Sequence, residues 1–199
     1  MATATKWRQQ MAIAWAIGAA IGLSGLAGYR AFLPVATFIF MARMGWVWGF
    51  KVQDTPFDFF QSDAVIMALL ALVVLEVMFT RAGPLQKLER SGRLPVAGAA
   101  GALLCPAALA GELPGALHFL GIPLGLTLAL LGFYVYRGLM LVGEGRDPGP
   151  ALDVTVLFFS VMIMLLPPAG YVIALVTIWL AARVRRLKKM KYKGLRVLA

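Results

Sequence analysis

The stretch Gly22-Leu-Ser-Gly-Leu-Ala-Gly28-Tyr29-Arg30-Ala31-Phe32-Leu33-Pro34 decides the fold, because it sets a charge and helix breakers inside an apolar run from Met11 to Gly49. An arginine in hydrocarbon is costly and persists by snorkelling, by pairing, or by lining a wet cavity. The glycines and Pro34 interrupt helices at the same place. A broken apolar segment that carries a charge is the pattern of a transport or ion site, not of a plain anchor. It names no substrate.

Working outward, the whole chain has this character. Of 199 residues 61% are hydrophobic and only 14% charged, with a mean hydropathy of +0.82. Soluble domains carry about 25% charged residues. Apolar stretches recur at 11–29, 31–50, 63–81, 94–111, 116–142 and 154–182, each near the length of a membrane span. This predicts one polytopic, all-α transmembrane domain over 1–199, with no soluble domain. The apolar run after Lys6 and Arg8 is too long for a signal-peptide core and reads as a retained first span.

One cysteine, Cys105, and one histidine, His118, exclude an internal disulfide and a Cys/His metal cluster. No phosphate loop, HExxH, GxSxG or paired-Asp motif occurs, and Gly22-x-x-Gly25-x-x-Gly28 lacks the preceding strand of a nucleotide loop. The expectation is a protein that is not an enzyme and holds no cofactor. The net charge of +10 is concentrated in 183–199. A basic tail directly after an apolar helix reads as a cytoplasmic anchor on anionic lipid, not as a nucleic-acid arm.

The connectors differ in sign. Residues 51–63 set Lys51 against Asp54, Asp58 and Asp63; residues 81–93 set Arg81, Lys87, Arg90 and Arg93 against Glu89; residues 143–153 set Arg146 against Glu144, Asp147 and Asp153. The positive-inside rule then puts the N-terminus, 81–93 and the tail in the cytoplasm, and the two acidic connectors outside. Six plain spans invert two of those assignments. Four full spans (11–29, 63–81, 116–142, 154–182) with re-entrant half-helices at 31–50 and 94–111 satisfy all five. Six plain transmembrane helices are the alternative.

The two odd segments resemble each other: Arg30-Ala-Phe-Leu33-Pro34-Val35-Ala36 and Arg93-Leu94-Pro95-Val96-Ala97. That similarity predicts inverted repeats whose broken helices meet near mid-depth. Pro95 and Pro106 bracket about ten residues, roughly 15 Å of helix, too short to cross about 30 Å of hydrocarbon. Gly98 and Gly101 permit close helix approach. Pro84 to Arg90 suits a short helix on the cytoplasmic surface.

In the functional reading Arg30 and Arg93, each at a half-helix N-terminus beside Tyr29, Pro34 and Pro95, hold an anion bidentately. The bland reading makes both interfacial anchors. Glu76 is either a coupling carboxylate or half of a structural ion pair with Arg30, Arg43 or Arg137. Arg137 and Asp153 suit a helix-hairpin ion pair, with Arg43 and Glu112 as near-interface charges. Pro167-Pro168 must kink or unwind 154–182, bending it or opening space beside the arginines.

With these residues in hand, the order of motifs resembles bacterial membrane proteins grouped as domain of unknown function 4126. The matching pieces are Gly28-Tyr29-Arg30-Ala31-Phe32-Leu33-Pro34, then Glu76 with Arg81 and Pro84, then Arg93-Leu94-Pro95-Val96-Ala97-Gly98, then Asp153 and Lys193-Gly194-Leu195-Arg196. Thr80 stands where the pattern has Asp, and Leu94 is an insertion. The resemblance implies a bacterial inner (plasma) membrane protein and carries no activity. The expected function is passage of an anionic small molecule or lipid headgroup, in contact with membrane lipids and as a homodimer. The alternative is a non-transporting scaffold that binds a partner or anionic lipid through its tail.

Overall fold

A computed structural model describes residues 2–45, 52, 54–81, 86–113, 115–142 and 149–195. Among these residues there are seven α-helices and no strand: α1 (Ala2–Ala27), α2 (Phe32–Arg43), α3 (Asp63–Arg81), α4 (Gln86–Leu109), α5 (Gly121–Val142), α6 (Pro150–Leu165) and α7 (Ala169–Leu195). Two 3-10 turns, Asp58–Gln61 and Gly115–Leu120, precede α3 and α5. The segments Trp7–Ala27 and Ala116–Met140 are long and apolar enough to cross a membrane. Large apolar side chains face outward, among them Met67 and Met78 on α3, Phe158 on α6, and Leu175 and Trp179 on α7. That is the exterior of a membrane-protein-like bundle, for a water-facing surface does not carry so continuous an apolar cover.

Side-chain contacts fix the directions of the helices. Tyr29 lies by Arg93 and Ser24 donates to the Gly101 carbonyl, so α4 runs antiparallel to α1. Arg93 meets Tyr136 and Gly101 meets Gly125, so α5 runs antiparallel to α4. At Gly125 an added Cβ would fall 2.0 Å from the Gly101 carbonyl oxygen, which is why two glycines stand at this crossing. Helix α2 runs antiparallel to α3, with Glu76 at its start and Asp63 at its end.

The last two helices form a V. Asp153 meets Arg30 and Ile163 meets Gly22, so α6 descends antiparallel to α1. Leu166, at φ −131 and ψ 77, ends it, and Pro167 and Pro168, lacking N–H groups, cannot extend it. The chain then reverses. Gly170 presses on Gly18, Thr177 lies by the Tyr29 side chain and Val184 packs on Gly138, so α7 climbs parallel to α1. The apex sits beside Gly18 and Gly22. A Cβ on Gly170 would lie 1.8 Å from the Gly18 carbonyl oxygen, so only glycine allows that contact.

Several expectations change. The stretch 154–182 is not one continuous helix. Pro95 and Pro106 lie inside α4 rather than at its ends. The cost of each missing N–H, about 3 kcal/mol in an isolated helix, is offset by packing on α1 and α5 along its length. Residues 86–90 are the first turns of α4, not a separate surface helix, and Pro84 lies outside the described residues. Helix α2 packs along α6, so α2 and 93–109 of α4 run the same way and are not opposed. The starts of α2, α4 and α6 share one end of the bundle with the exits of α1, α3, α5 and α7. The end of α3, the exit of α5 and the starts of α4 and α6 therefore lie at the same end as the exit of α7 into the basic tail, and the start of α1 lies at the other. The charges Arg146, Glu144 and Asp147 themselves lie outside the described residues.

Candidate functional site

Helix α1 stops at Ala27, and Tyr29 and Arg30 both bond back through their N–H groups to the Leu26 carbonyl. This tight exit turns Arg30 into the bundle, where it is 1% exposed, the largest fully buried side chain described. Its Nε donates to Asp153 Oδ1 in the first turn of α6. The Asp153 side chain is 14% exposed. The expected Arg137–Asp153 pair does not form; Arg137 points outward from α5 while Asp153 serves Arg30. A guanidinium taken from water requires a carboxylate close by, and Arg30 is nearer to the start of α6 than Arg137 is.

Glu76 approaches from α3 and occupies the start of α2. Its Oε1 accepts from the Ala31 N–H at 2.7 Å and its Oε2 from the Phe32 N–H at 3.0 Å. Helix N-termini leave donors unsatisfied and favour negative charge. Neither Ala31 nor Phe32 offers a capping oxygen of its own, and Pro34, buried in the first turn, has no N–H to satisfy. The anion at this helix start is thus the protein's own. Arg93 and Arg30 both lie near the Glu76 carboxyl group.

Arg93 sits in the interior of α4, 7% exposed, so it does not stand at the N-terminus of its own helix. Its Nη1 donates to the Tyr136 hydroxyl at 2.7 Å and its Nη2 to the Tyr29 carbonyl at 2.5 Å. The guanidinium also lies 4.2 Å from the Tyr136 ring centroid, a cation–π contact. The Tyr29 side chain lies near Thr177 on α7, whose hydroxyl donates to the Ile173 carbonyl at 2.9 Å.

Arg30, Arg93, Glu76 and Asp153 therefore form one charge-balanced cluster, two cations with two carboxylates, at the end of the bundle shared with the basic tail. Asp153 Oδ2 is buried and has no hydrogen-bond partner among the described residues. Pro95 faces outward on α4. Arg43 is also apart, on an exposed pair with Asp63 at 2.5 Å. The Pro167–Pro168 break lies beside Gly18, about 18 Å along α1 from Arg30 at 1.5 Å per residue, so it opens no space beside the arginines. Cys105 is a buried packing residue against Gly125. His118 is buried between Phe57 and Phe119.

Tyr136 and Thr177 are functional candidates that the sequence did not single out for these roles. The doublet Tyr134-x-Tyr136 just before Arg137 is the only advance signal, since a tyrosine in an apolar span requires a partner for its hydroxyl. Among the described residues no three His, Cys, Asp or Glu side chains gather as metal ligands do.

The family described as Domain of unknown function (DUF4126) matches residues 17–141. These residues hold Arg30, Glu76, Arg93 and Tyr136, and stop short of Asp153. No curated protein and no solved structure matches the chain.

Proposed function

Because this chain belongs to the DUF4126 family, which brings no activity with it, we infer its function from the geometry. The reading is passage of an anionic small molecule or anionic lipid headgroup across a bacterial inner membrane. One observation carries it: the start of α2, flanked by Arg30, is an anion seat, and a side-chain carboxylate from another helix, Glu76, fills it. An incoming carboxylate or phosphate takes the place of Glu76 on the Ala31 and Phe32 N–H groups, with Arg30 and Arg93 alongside. Asp153 is the second carboxylate, holding Arg30 between passages.

In this reading the end bearing 81–93 and the tail faces the cytoplasm. The α6–α7 V enters the hydrocarbon from that side and leaves by it, and the N-terminus lies on the other face. This orientation replaces the sequence-based expectation of two cytoplasmic termini. A small bundle of this kind works as a homodimer.

Reconstituted full-length protein tests it. Proteoliposomes are assayed for uptake of chloride, phosphate and a dicarboxylate, and for flipping of a fluorescent phosphatidylglycerol. Arg30→Lys and Glu76→Gln should reduce flux of the transported species at least tenfold while thermal unfolding shows a folded protein. No flux with any probe, or wild-type flux in both variants, sinks the reading. The second reading is a non-transporting scaffold, favoured by the internal charge balance of the cluster. It predicts that deletion of 185–199 is the damaging change and that Arg30→Lys is silent.

A further inference from the structure

Away from the Arg30 cluster, a groove of about 730 Å³ lies between α5 and α7, lined by Leu131, Tyr134, Ala181, Ala182, Arg185 and Arg186. The same two helices meet at Val184 and Gly138: a Cβ on Gly138 would lie 2.3 Å from the Val184 side chain, so they cannot separate or slide without losing that fit. Since α5 and α7 run parallel, the apolar residues Leu131 and Ala181 lie deeper in the bundle and the two arginines lie toward the basic end. The groove is thus graded, apolar below and cationic above.

The cations are available. Arg183 is held over the Trp179 ring at 5.4 Å, but among the described residues neither Arg185 nor Arg186 makes an ion pair or hydrogen bond. Both are exposed. Adjacent guanidiniums suit phosphate oxygens. The apolar wall beneath them is bordered on α7 by outward Ile178 and Trp179, so an aqueous anion would leave it uncovered, whereas an acyl chain covers it.

We infer that this α5–α7 groove is a binding site for an anionic phospholipid, its phosphate on Arg185 and Arg186 and its acyl chain along Leu131 and Ala181. The site is distinct from the Glu76 seat and does not rest on the transport reading. It holds the start of the basic tail to the bundle through a lipid.

The test is native mass spectrometry of the full chain in detergent, titrated with phosphatidylglycerol, phosphatidylcholine or inorganic phosphate. Phosphatidylglycerol should be retained, and the double variant R185A/R186A should bind it roughly thirtyfold more weakly, on the scale of two arginines near an anionic headgroup. Leu131→Trp, which fills the apolar wall and leaves both charges, should weaken it as well. R185K/R186K should keep most of the binding, and K188A/K189A should change it less than threefold. Thermal unfolding confirms that each variant is folded. Equal retention of phosphatidylcholine overturns the proposal. So does displacement by equimolar inorganic phosphate, which would mean a free-anion site, or a loss in K188A/K189A as large as in R185A/R186A, which would mean a diffuse tail effect.

Discussion

Glu76 satisfies two backbone donors that precede it in the chain by 45 and 44 residues. Glu76→Ala should orphan both, at about 1–3 kcal/mol each, and Glu76→Gln, with one acceptor oxygen, should lose about half as much. Unfolding of the detergent-solubilised protein reads the difference; a wild-type midpoint for Glu76→Ala would refute the cap. Arg30→Ala leaves Asp153 buried without its cation and should cost about 3–5 kcal/mol. The double variant R30A/D153A should be less damaged than Arg30→Ala alone, a coupling that a double-mutant cycle measures. The cost of each charge was legible in the sequence, since Arg30, Glu76 and Asp153 stand in or beside apolar runs. Their partners were not. Pairing joins residues 123 apart in the case of Arg30 and Asp153, and local spacing holds no record of that.

Among the elements, the double proline announced a break but not its consequence. A kinked helix and a reversed one begin with the same missing N–H groups; Gly18, Gly22 and Gly170 make the reversal fit, by letting the apex settle on α1. Gly170→Ala should destabilise the protein by about 1–3 kcal/mol, the usual range for forced overpacking, because its Cβ has the Gly18 carbonyl in the way. Gly25→Ala, whose Cβ would meet nothing within 4 Å, should be neutral or stabilising by up to about 1 kcal/mol. Paired thermal melts decide, and equal effects would mean that the α1–α7 contact is looser than described. Conversely, Pro95 and Pro106 looked like helix ends and are not. Proline is a reliable breaker only where neighbours do not hold the helix on both sides.

For the molecule as a whole, the connector charges argue against a simple alternation of six spans, and several segments could absorb that mismatch. The short α2 and proline-rich 94–111 drew it by composition. In the structure it is the V of α6 and α7 that returns 154–182 to the end from which it starts. Single cysteines at Asp58, Ala151 and Leu187, in a Cys105→Ser background, check this from both sides of a sealed membrane. Positions 151 and 187 should react with an impermeant reagent from one side and 58 from the other. Labelling of 151 together with 58 would mean that α6 and α7 traverse as one.

The balance of two guanidiniums with two carboxylates also has an electrical consequence. A membrane voltage acts on each buried charge with about 2.3 kcal/mol per 100 mV, yet opposite charges at one depth cancel, so the resting cluster feels no net pull. Swapping one monovalent anion for another at the head of α2 leaves that sum unchanged. Flux by such a swap should be insensitive to a potassium diffusion potential, whereas a cycle that carries unpaired charge would quicken or slow with it.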